Sequence, residues 1–569
     1  MSALLCTTPQ AFSKEIFTDE AQASGIDFVH FNGMSGEFYF VEPLGSGAAV
    51  FDYDNDGDLD LYLGQGHMLG KGKTLANALT PPPPGEKFRD RLYRNDMVIH
   101  KDGRRSLRFT EVTEASGLDA RGYSMGAAVG DYDNDGWLDL YLTNFGEDQL
   151  WRNNGDGTFS DVTKKAGLGQ SGWAVSAAFL DYDLDGHLDL YVGRYVDFST
   201  DKNKECFAPT SGRDYCSPHI YDPLPDLLYR NRGDGSFEDV SKKSGIDRDF
   251  GPALGVIVAD FNGDARVDIY AANDMKPNQL WINRANGSFV NEALLAGVAV
   301  NMEGAPEASM GVDAADLDGD GDEDLFMTHL QGETNTIYVN NGEGWFEDRS
   351  LATGLGAPSK AFTSFGTGWF DYANNGMLDL FVANGEVRVV PFLARAGDTY
   401  PLNQTNQLFA NLGGAKYKDI TAEAGKVFQL SEVSRGAAFG DVDNDGDTDI
   451  LVTNNNGRAR LLINNVGNQN HWLGLRVLDD LGRDAIGARV AVSVPKSRML
   501  WRRVRTDGSY ASANDPRLLV GLGDSSKLEA VRVFWPNGDV EEWKGIPADQ
   551  YTNLRKGEGK AVKKTVRKP

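Results

Sequence analysis

Short runs of apolar and small residues alternate with acidic, glycine-bearing turns through most of the chain. That rhythm predicts short strands joined by tight turns. The first clear turn is Asp52-Tyr53-Asp54-Asn55-Asp56-Gly57-Asp58-Leu59-Asp60, between Gly45-Ser46-Gly47-Ala48-Ala49-Val50-Phe51 and Leu61-Tyr62-Leu63. It recurs at Asp131 (DYDNDGWLD), Asp181 (DYDLDGHLD), Asp260 (DFNGDARVD), Asp316 (DLDGDGDED), Asp371 (DYANNGMLD) and Asp441 (DVDNDGDTD), giving seven copies.

A second motif follows each copy: Leu92-Tyr93-Arg94-Asn95, Leu150-Trp151-Arg152-Asn153, Leu228-Tyr229-Arg230-Asn231, Leu280-Trp281-Ile282-Asn283, Ile337-Tyr338-Val339-Asn340, Leu408-Phe409-Ala410-Asn411 and Leu461-Leu462-Ile463-Asn464. A third, aromatic and then acidic, begins at Phe109, Phe159, Phe237, Phe289, Phe346 and Tyr417. Its seventh copy stands at the front of the chain, from Phe17 to Gly25.

Each unit therefore reads as four strands, and the last unit lacks a fourth strand that the N-terminus supplies. Lending the first strand to the last unit is how a ring of sheets removes its free edges. The expectation is an all-β chain: a seven-bladed β-propeller over 17–469, with strand 17–25 closing the last blade, after an N-terminal tail at 1–16.

The acidic turns and the hairpins between strands three and four fall on one face. Connections between strands two and three fall on the other, and there three insertions occur, at 64–91, 193–226 and 385–407. Long loops on a rigid scaffold often carry function, so this insertion face is the expected working face. From 470 to 555 the strand pattern changes to a small β-sandwich-like domain, and a basic tail at 556–569 is expected to be disordered.

The acidic turns carry specific chemistry. Side-chain oxygens at positions 1, 3 and 5, with a turn glycine at position 6, are how a short loop wraps Ca2+, which takes about six to eight oxygens. Position 9 closes the set. The candidate ligands are Asp52, Asp54, Asp56 and Asp60; Asp131, Asp133, Asp135 and Asp139; Asp181, Asp183, Asp185 and Asp189; Asp316, Asp318, Asp320 and Asp324; and Asp441, Asp443, Asp445 and Asp449. Asp260, Asn262, Asp264 and Asp268 form a weaker set, with Ala265 in place of the glycine. The copy at Asp371 keeps only Asp371 and Asp379 and reads as an empty structural turn. Five or six calcium ions, mainly structural, are expected; Mg2+ is disfavoured because the loops supply more ligands than an ion that keeps its waters requires.

Net charge is −27, and from residue 470 onward 19 Lys and Arg stand against 12 Asp and Glu, so this part carries +7 and the rest −34. That density argues against nucleic acid as a partner. No run approaches the ~20 apolar residues of a membrane helix. The first residues lack a basic start and apolar core, which predicts a cytoplasmic protein, with extracellular or periplasmic as the alternative if the start is incomplete. Leu4-Leu5-Cys6 only faintly matches a lipoprotein cleavage site. Cys206 and Cys216 lie ten apart and either pair in an oxidising compartment or remain free thiols.

The seven acidic loops with Leu-Tyr-Arg-Asn and Phe-x-Asp-Val-Thr resemble FG-GAP/VCBS repeats, as in integrin α propellers. Asn470-His471-Trp472-Leu473, Asp484-Ala485-Ile486-Gly487-Ala488-Arg489-Val490, Gly521-Leu522-Gly523 and Trp535-Pro536-Asn537-Gly538 resemble the ASPIC/UnbV domain. Together they are similar to the cartilage-acidic-protein-like family, covering almost the whole chain. The resemblance implies a calcium-binding propeller but no single activity. Animal members are secreted matrix proteins, whereas UnbV-type bacterial members occur in enediyne biosynthesis; the missing export signal departs from most relatives.

Residues just after each second strand are expected at the channel mouth: Gln65, His67, Asn144, Arg194, Tyr195, Asn273, Asp274, His329, Asn384, Glu386 and Asn454. Among them His67, Arg194, Tyr195, Asp274, His329 and Glu386 are candidates for acid–base chemistry, against the plainer reading that polar groups line a wet channel. Cys216 with His219 lacks a second pair of ligands at metal spacing. Two functions remain: a binding or scaffold module, expected to be monomeric, with a small-molecule, glycan or protein ligand on the insertion face, or a calcium-dependent enzyme of bacterial secondary metabolism acting at the channel mouth.

Overall fold

The computed structural model describes residues 15–208, 212–495 and 497–562. The Leu4-Leu5-Cys6 stretch, with the rest of 1–14, and residues 563–569 of the basic tail lie outside the described residues. The acidic turns join antiparallel pairs, as in Ala48–Phe51 with Asp60–Leu63, where Phe51 faces Asp60. Each pair continues through a third and a fourth strand, here Arg91–Asn95 and Phe109–Glu111.

Among the described residues seven four-stranded antiparallel meanders result, and Asp139–Glu147 runs long enough to pair with Ser171–Leu180, fusing the second and third into one sheet. The N-terminal Phe17–Asp19 supplies the missing strand of the last meander, with Phe17 opposite Asn464 and Asp19 opposite Leu462. The first strands of successive meanders lie side by side, and that of the seventh lies beside that of the first, so the contacts run in a closed cycle.

This explains their Gly and Ala content. A Cβ on Gly311 would lie 2.1 Å from Phe365 O, and one on Gly255 2.4 Å from Met310 O. At these glycines neighbouring first strands approach too closely for a side chain. A feature the pattern does not reveal is a single helical turn after the fourth strand in several units, such as Thr163–Ala166, closed by Gly167 in the left-handed region.

The C-terminal residues form a three-stranded and a five-stranded sheet around one apolar core that includes Leu473, Val490, Val520 and Val533. The expected tail begins too early at 556, because Lys560–Ala561 pairs with Val540–Trp543 as a further strand.

Residues 505–515 of this domain run into the middle of the ring and meet all seven first strands. Val50 N donates to Ala513 O (3.0 Å), Ala127 N to Ala511 O (3.2 Å) and Val312 N to Ser509 O (3.0 Å). Ala511 N donates to Ser176 Oγ (3.1 Å), Val258 N to Asp507 Oδ2 (2.6 Å), Thr367 N to Ser509 Oγ (3.1 Å) and Phe439 N to Asn514 Oδ1 (3.0 Å). Inner strand edges carry N–H groups that burial would orphan, and this segment satisfies them. Ser509 and Ala511 hold left-handed backbones there, at φ 64° and 52°, a conformation a non-glycine keeps only where surrounding contacts impose it.

At the tip, buried Tyr510 donates to Leu44 O (3.1 Å) and packs edge-on against Phe365. From the insertion face, the strap around Tyr39 to Leu44 closes over this tip, with Phe40 among Trp173, Tyr195, Phe198 and Tyr221. The expected wet channel is thus corrected: aromatic side chains and a chain segment fill it. Cys206 and Cys216 are disulfide-bonded across the short hairpin Cys206–Ala208 and Gly212–Asp214.

Candidate functional site

On the acidic face each loop folds on its own carboxylates. Asp52 Oδ1 and Oδ2 accept from Asp56 N (3.1 Å) and Gly57 N (3.0 Å), and Asp131 and Asp181 repeat the pattern. Position 4 turns left-handed, at Asn55, Asn134, Leu184, Asn374 and Asn444. The position-9 aspartate spans the loop: Asp60 accepts from Tyr53 N (2.9 Å) and from Asn95 N (2.8 Å) of the second motif.

Five clusters bring three carboxylates together, with one oxygen of each within 4.8 Å of the others: Asp52, Asp54 and Asp60; Asp131, Asp133 and Asp139; Asp181, Asp183 and Asp189; Asp316, Asp318 and Asp320; Asp441, Asp443 and Asp449. Each could hold a metal ion. The fit to a hard cation is visible at position 3, where Asp54 Oδ1, Asp133 Oδ1 and Asp183 Oδ1 are buried without a hydrogen-bond partner. A bound calcium would supply the missing positive charge. Burial pushes the carboxyls of Asp52, Asp131, Asp181 and Asp316 up to about 6, with loop-mates adding repulsion.

Position 5 behaves differently from the expectation in four loops. Asp56, Asp135, Asp185 and Asp445 stand outside the clusters, each accepting the backbone N–H two residues on. The arginine of the second motif then grips outer oxygens: Arg152 donates to Asp133 (2.5 Å) and Asp135 (2.8 Å), and Arg230 to Asp183 (2.6 Å) and Asp185 (2.8 Å). The loops at Asp260 and Asp371 form no such cluster among the described residues.

The asparagine of the second motif has a role that spacing does not show. Its amide reaches back to the position-2 carbonyl of the preceding loop: Asn95 to Val442, Asn153 to Tyr53, Asn231 to Tyr132, Asn283 to Tyr182, Asn340 to Phe261 and Asn464 to Tyr372, all at 2.7–2.9 Å. The loops are thereby stitched to one another around the ring.

On the insertion face the candidate residues scatter. His67 Nδ1 donates to Met68 O (2.9 Å), and its ring stands edge-on to Tyr123. Arg194 is tied to Ser171 O (3.2 Å), and Glu386 accepts from Thr363 Oγ1 (2.8 Å). His329 is buried 3.7 Å from Glu307 Oε2, and burial pushes its imidazole down to about 4. Only Tyr195 and Asp274 meet, the phenol donating to Oδ2 at 2.5 Å while burial lifts the carboxyl to about 7.

Beside that pair, Phe40, Leu254, Met310, Phe365 and Arg388 line a crevice of about 30 Å3, room for about one water. Asn144, Asn273, Asn384 and Asn454 are buried, and their amides serve the local fold, as Asn273 Nδ2 does to Pro277 O (2.8 Å) and Asn454 Nδ2 to Arg458 O (2.8 Å). Cys216, held in the disulfide, is not a free nucleophile.

Two buried groups on this face escape sequence reasoning. Arg435 lies over the Phe365 ring and donates to the carbonyls of Pro43, Gly385, Ser434 and Glu386 at 2.7–2.8 Å. A signal existed: Met125, Leu254, Met310 and Phe365 precede the equivalent glycines of other units, and Arg435 alone brings charge to that place. Glu42 accepts from Tyr215 OH (2.9 Å), and burial pushes its carboxyl up to about 8.

Comparison with known proteins fits this architecture. The FG-GAP-like repeat matches residues 131–192, 197–271, 260–327 and 316–382, and the ASPIC and UnbV domain matches 479–561. Cartilage acidic protein 1 of Mus musculus is 26% identical over 322 residues, 56% of this chain and 46% of that protein. The Homo sapiens protein is 26% identical over 56% of this chain and 45% of its own length. The chain is homologous to these proteins and spans about half their length. A solved structure of an Agrocybe aegerita lectin, described as recognising non-reducing terminal N-acetylglucosamine, overlaps at TM-score 0.37 and 17% identity over 66% of this chain and 79% of that one. That likeness is too remote to bear on function.

Proposed function

We propose that this chain, an FG-GAP-repeat protein with a C-terminal ASPIC and UnbV domain, is a calcium-stabilised seven-bladed β-propeller acting as a binding or scaffold protein. The propeller spans 17–469, and five loops hold calcium for structural reasons. The partner surface is the insertion face.

The observation that carries this reading is that every insertion presents apolar side chains to solvent: Leu75 (46% exposed) and Leu79 (54%) on the first, Phe207 (69%) on the second, Phe392 (65%) on the third. Exposed apolar groups on loops can serve as contact points for a partner; others stand on hairpins of the acidic face, among them Ile99 (61%) and Leu412 (63%). The second and third insertions are tied directly, Val389 N donating to Asp214 Oδ1 (3.1 Å), and the first and second are both tied to the segment before the strap, Leu79 N to Met34 O (3.0 Å) and Arg213 to Glu37 O (2.9 Å). The disulfide favours an oxidising compartment and weighs against the cytoplasmic expectation. Among the described residues no helix is long and apolar enough to cross a membrane.

The test is binding of the full chain to glycan and peptide arrays, compared with Phe207→Asp/Phe392→Asp. Binding lost in the double variant supports the assignment of this face; silent arrays, or binding indifferent to both substitutions, overturn it.

A further inference from the structure

Guanidinium groups reach full and depleted loops alike, as Arg517 does Gly57 O (3.2 Å) and Asp441 O (3.3 Å), but in the two loops that depart from the calcium pattern they stand where carboxylates are missing. At Asp260 the cation is local: Arg266 pairs with Asp264 and its Nε donates to Asn283 O (3.1 Å). At Asp371 the cations come from the C-terminal domain. Arg498 donates to Leu317 O of the preceding loop (3.1 Å) and to Gly376 O of this one (3.3 Å). Leu317 O is the position-2 carbonyl that the ring of asparagines leaves over, because Asn411 reaches only its own Leu378 O (3.0 Å). Arg498 thus makes the seventh link.

Arg502 completes the arrangement. It shares a cavity of about 130 Å3 with Asp371 and Asn374, and its Nη2 is buried without a partner. Its other donors reach Leu519 O (3.4 Å) and Trp501 O (2.8 Å), and the nearby carboxylates of Asp371 and Asp316 favour its charged form. The domain also presses its backbone onto the loop: a Cβ on Gly521 would lie 2.1 Å from Asp371 Oδ2 and 2.4 Å from Asn374, and Gly523 N donates to Asn374 O (2.8 Å).

We propose that the Asp371 loop is a docking site for guanidinium groups in place of a metal site, and that Arg502 and Arg498 of the C-terminal domain take the place calcium has in its siblings. A cation on a protein arm can do what an ion cannot: it couples closure of the ring of loops to seating of the domain whose residues 505–515 fill the centre. The loop's lost carboxylates are consistent with this, because Asp371 faces Arg502 while Asp379 is taken up by the backbone N–H groups of Tyr372 (3.2 Å) and Asn411 (2.7 Å), leaving less charge to offset than the four acids of a sibling loop.

The proposal rests on calcium in the sibling loops, and the experiment separates the two. Calcium per full-length chain is counted by mass spectrometry after equilibration in calcium buffer, with five ions expected in the unaltered protein, matching the five clusters. Ala373→Asp/Asn375→Asp restores the carboxylates yet should leave the count unchanged while Arg502 is present; adding Arg502→Gln should raise it by one. A sixth ion with Arg502 in place, or none after its removal, overturns the proposal. Independently, Arg502→Gln should speed amide hydrogen exchange of residues 505–515 by about tenfold or more, while Arg502→Lys retains most of the protection. Unchanged exchange in Arg502→Gln overturns the docking role. A count of zero in the unaltered chain would sink the calcium reading of the siblings and leave the exchange experiment to decide the docking.

Discussion

The acidic face and the insertion face hang from the same strands, yet they are held in opposite ways. Each acidic loop is closed by residues within nine positions of one another, as Asp52 is by Asp56 and Gly57. The insertion face is closed by groups far apart in the chain: Tyr215 reaches Glu42 across 173 positions, Arg435 reaches Pro43 across 392, and Asn455 reaches Glu42 across 413. One face is a local motif repeated and then stitched across the ring, as Asn95 is to Val442; the other is held chiefly by contacts across the ring. The centre joins them, since Tyr510 travels from the domain on the acidic side to Leu44 beneath the insertion-face strap.

If the acidic face depends on metal, chelation should give the largest effect. Removing calcium with EDTA is expected to lower the melting temperature by ~10 °C or more, given one ion in each of five clusters at ~4 kcal/mol when held at a thousandfold its Kd and about 1 °C per kcal/mol for a chain of this size. A melting curve by circular dichroism that ignores EDTA would erase the distinction between the faces.

Next comes the link between them. Tyr510→Ala should cost about 3–5 kcal/mol in chemical denaturation, and Tyr510→Phe about 1 kcal/mol for the lost hydrogen bond. A silent Tyr510→Ala would mean that the two faces are independent.

Smaller effects should stay on the insertion face. Cys206→Ser should cost about 2.7 kcal/mol, the chain-entropy value for so short a loop, without altering the calcium count; a loss of bound calcium would show that the faces are not separable.

The smallest effect is one of pH. Burial raises the carboxyl of Glu42 from 4.5 to about 8, so the folded state holds a proton that the unfolded chain releases. The resulting stability is fully present below pH 4.5 and is lost as pH rises through about 8. Glu42→Gln should therefore match the native protein near pH 4 and exceed it in melting temperature at pH 9. A native advantage at pH 9 would place a charged, compensated Glu42 on this face.

Much of the acidic face was legible because its signals are local. The seven loops, the orphan strand at Phe17–Asp19 and the weakness of the copies at Asp260 and Asp371 all follow from residue order. Spacing does not show how the position-5 aspartates are shared, because a carboxylate that suits a cation suits a backbone N–H equally well: Asp135 and Asp185 accept such groups and pair with Arg152 and Arg230, whereas Asp320 lies within its cluster. On the insertion face Tyr195 and Asp274 were named, but their pairing was not readable. The partners of Glu42 and Arg435 lie in other units, so local sequence marks at most the odd charge at Arg435 and not what it binds.

By itself the sequence determined the repeating unit, the acidic loops and the closing strand. Each rests on hydrophobic alternation, turn chemistry or spacing within a few residues, where physics acts along the chain. Only the tertiary structure decided that the centre is filled by residues 505–515, that the asparagines stitch neighbouring loops, and that arginines from another domain stand at the loop that lost its acids. Those outcomes depend on unpaired N–H groups, carbonyls and carboxylates brought together across hundreds of positions, and nothing in their local sequence says which donor will arrive.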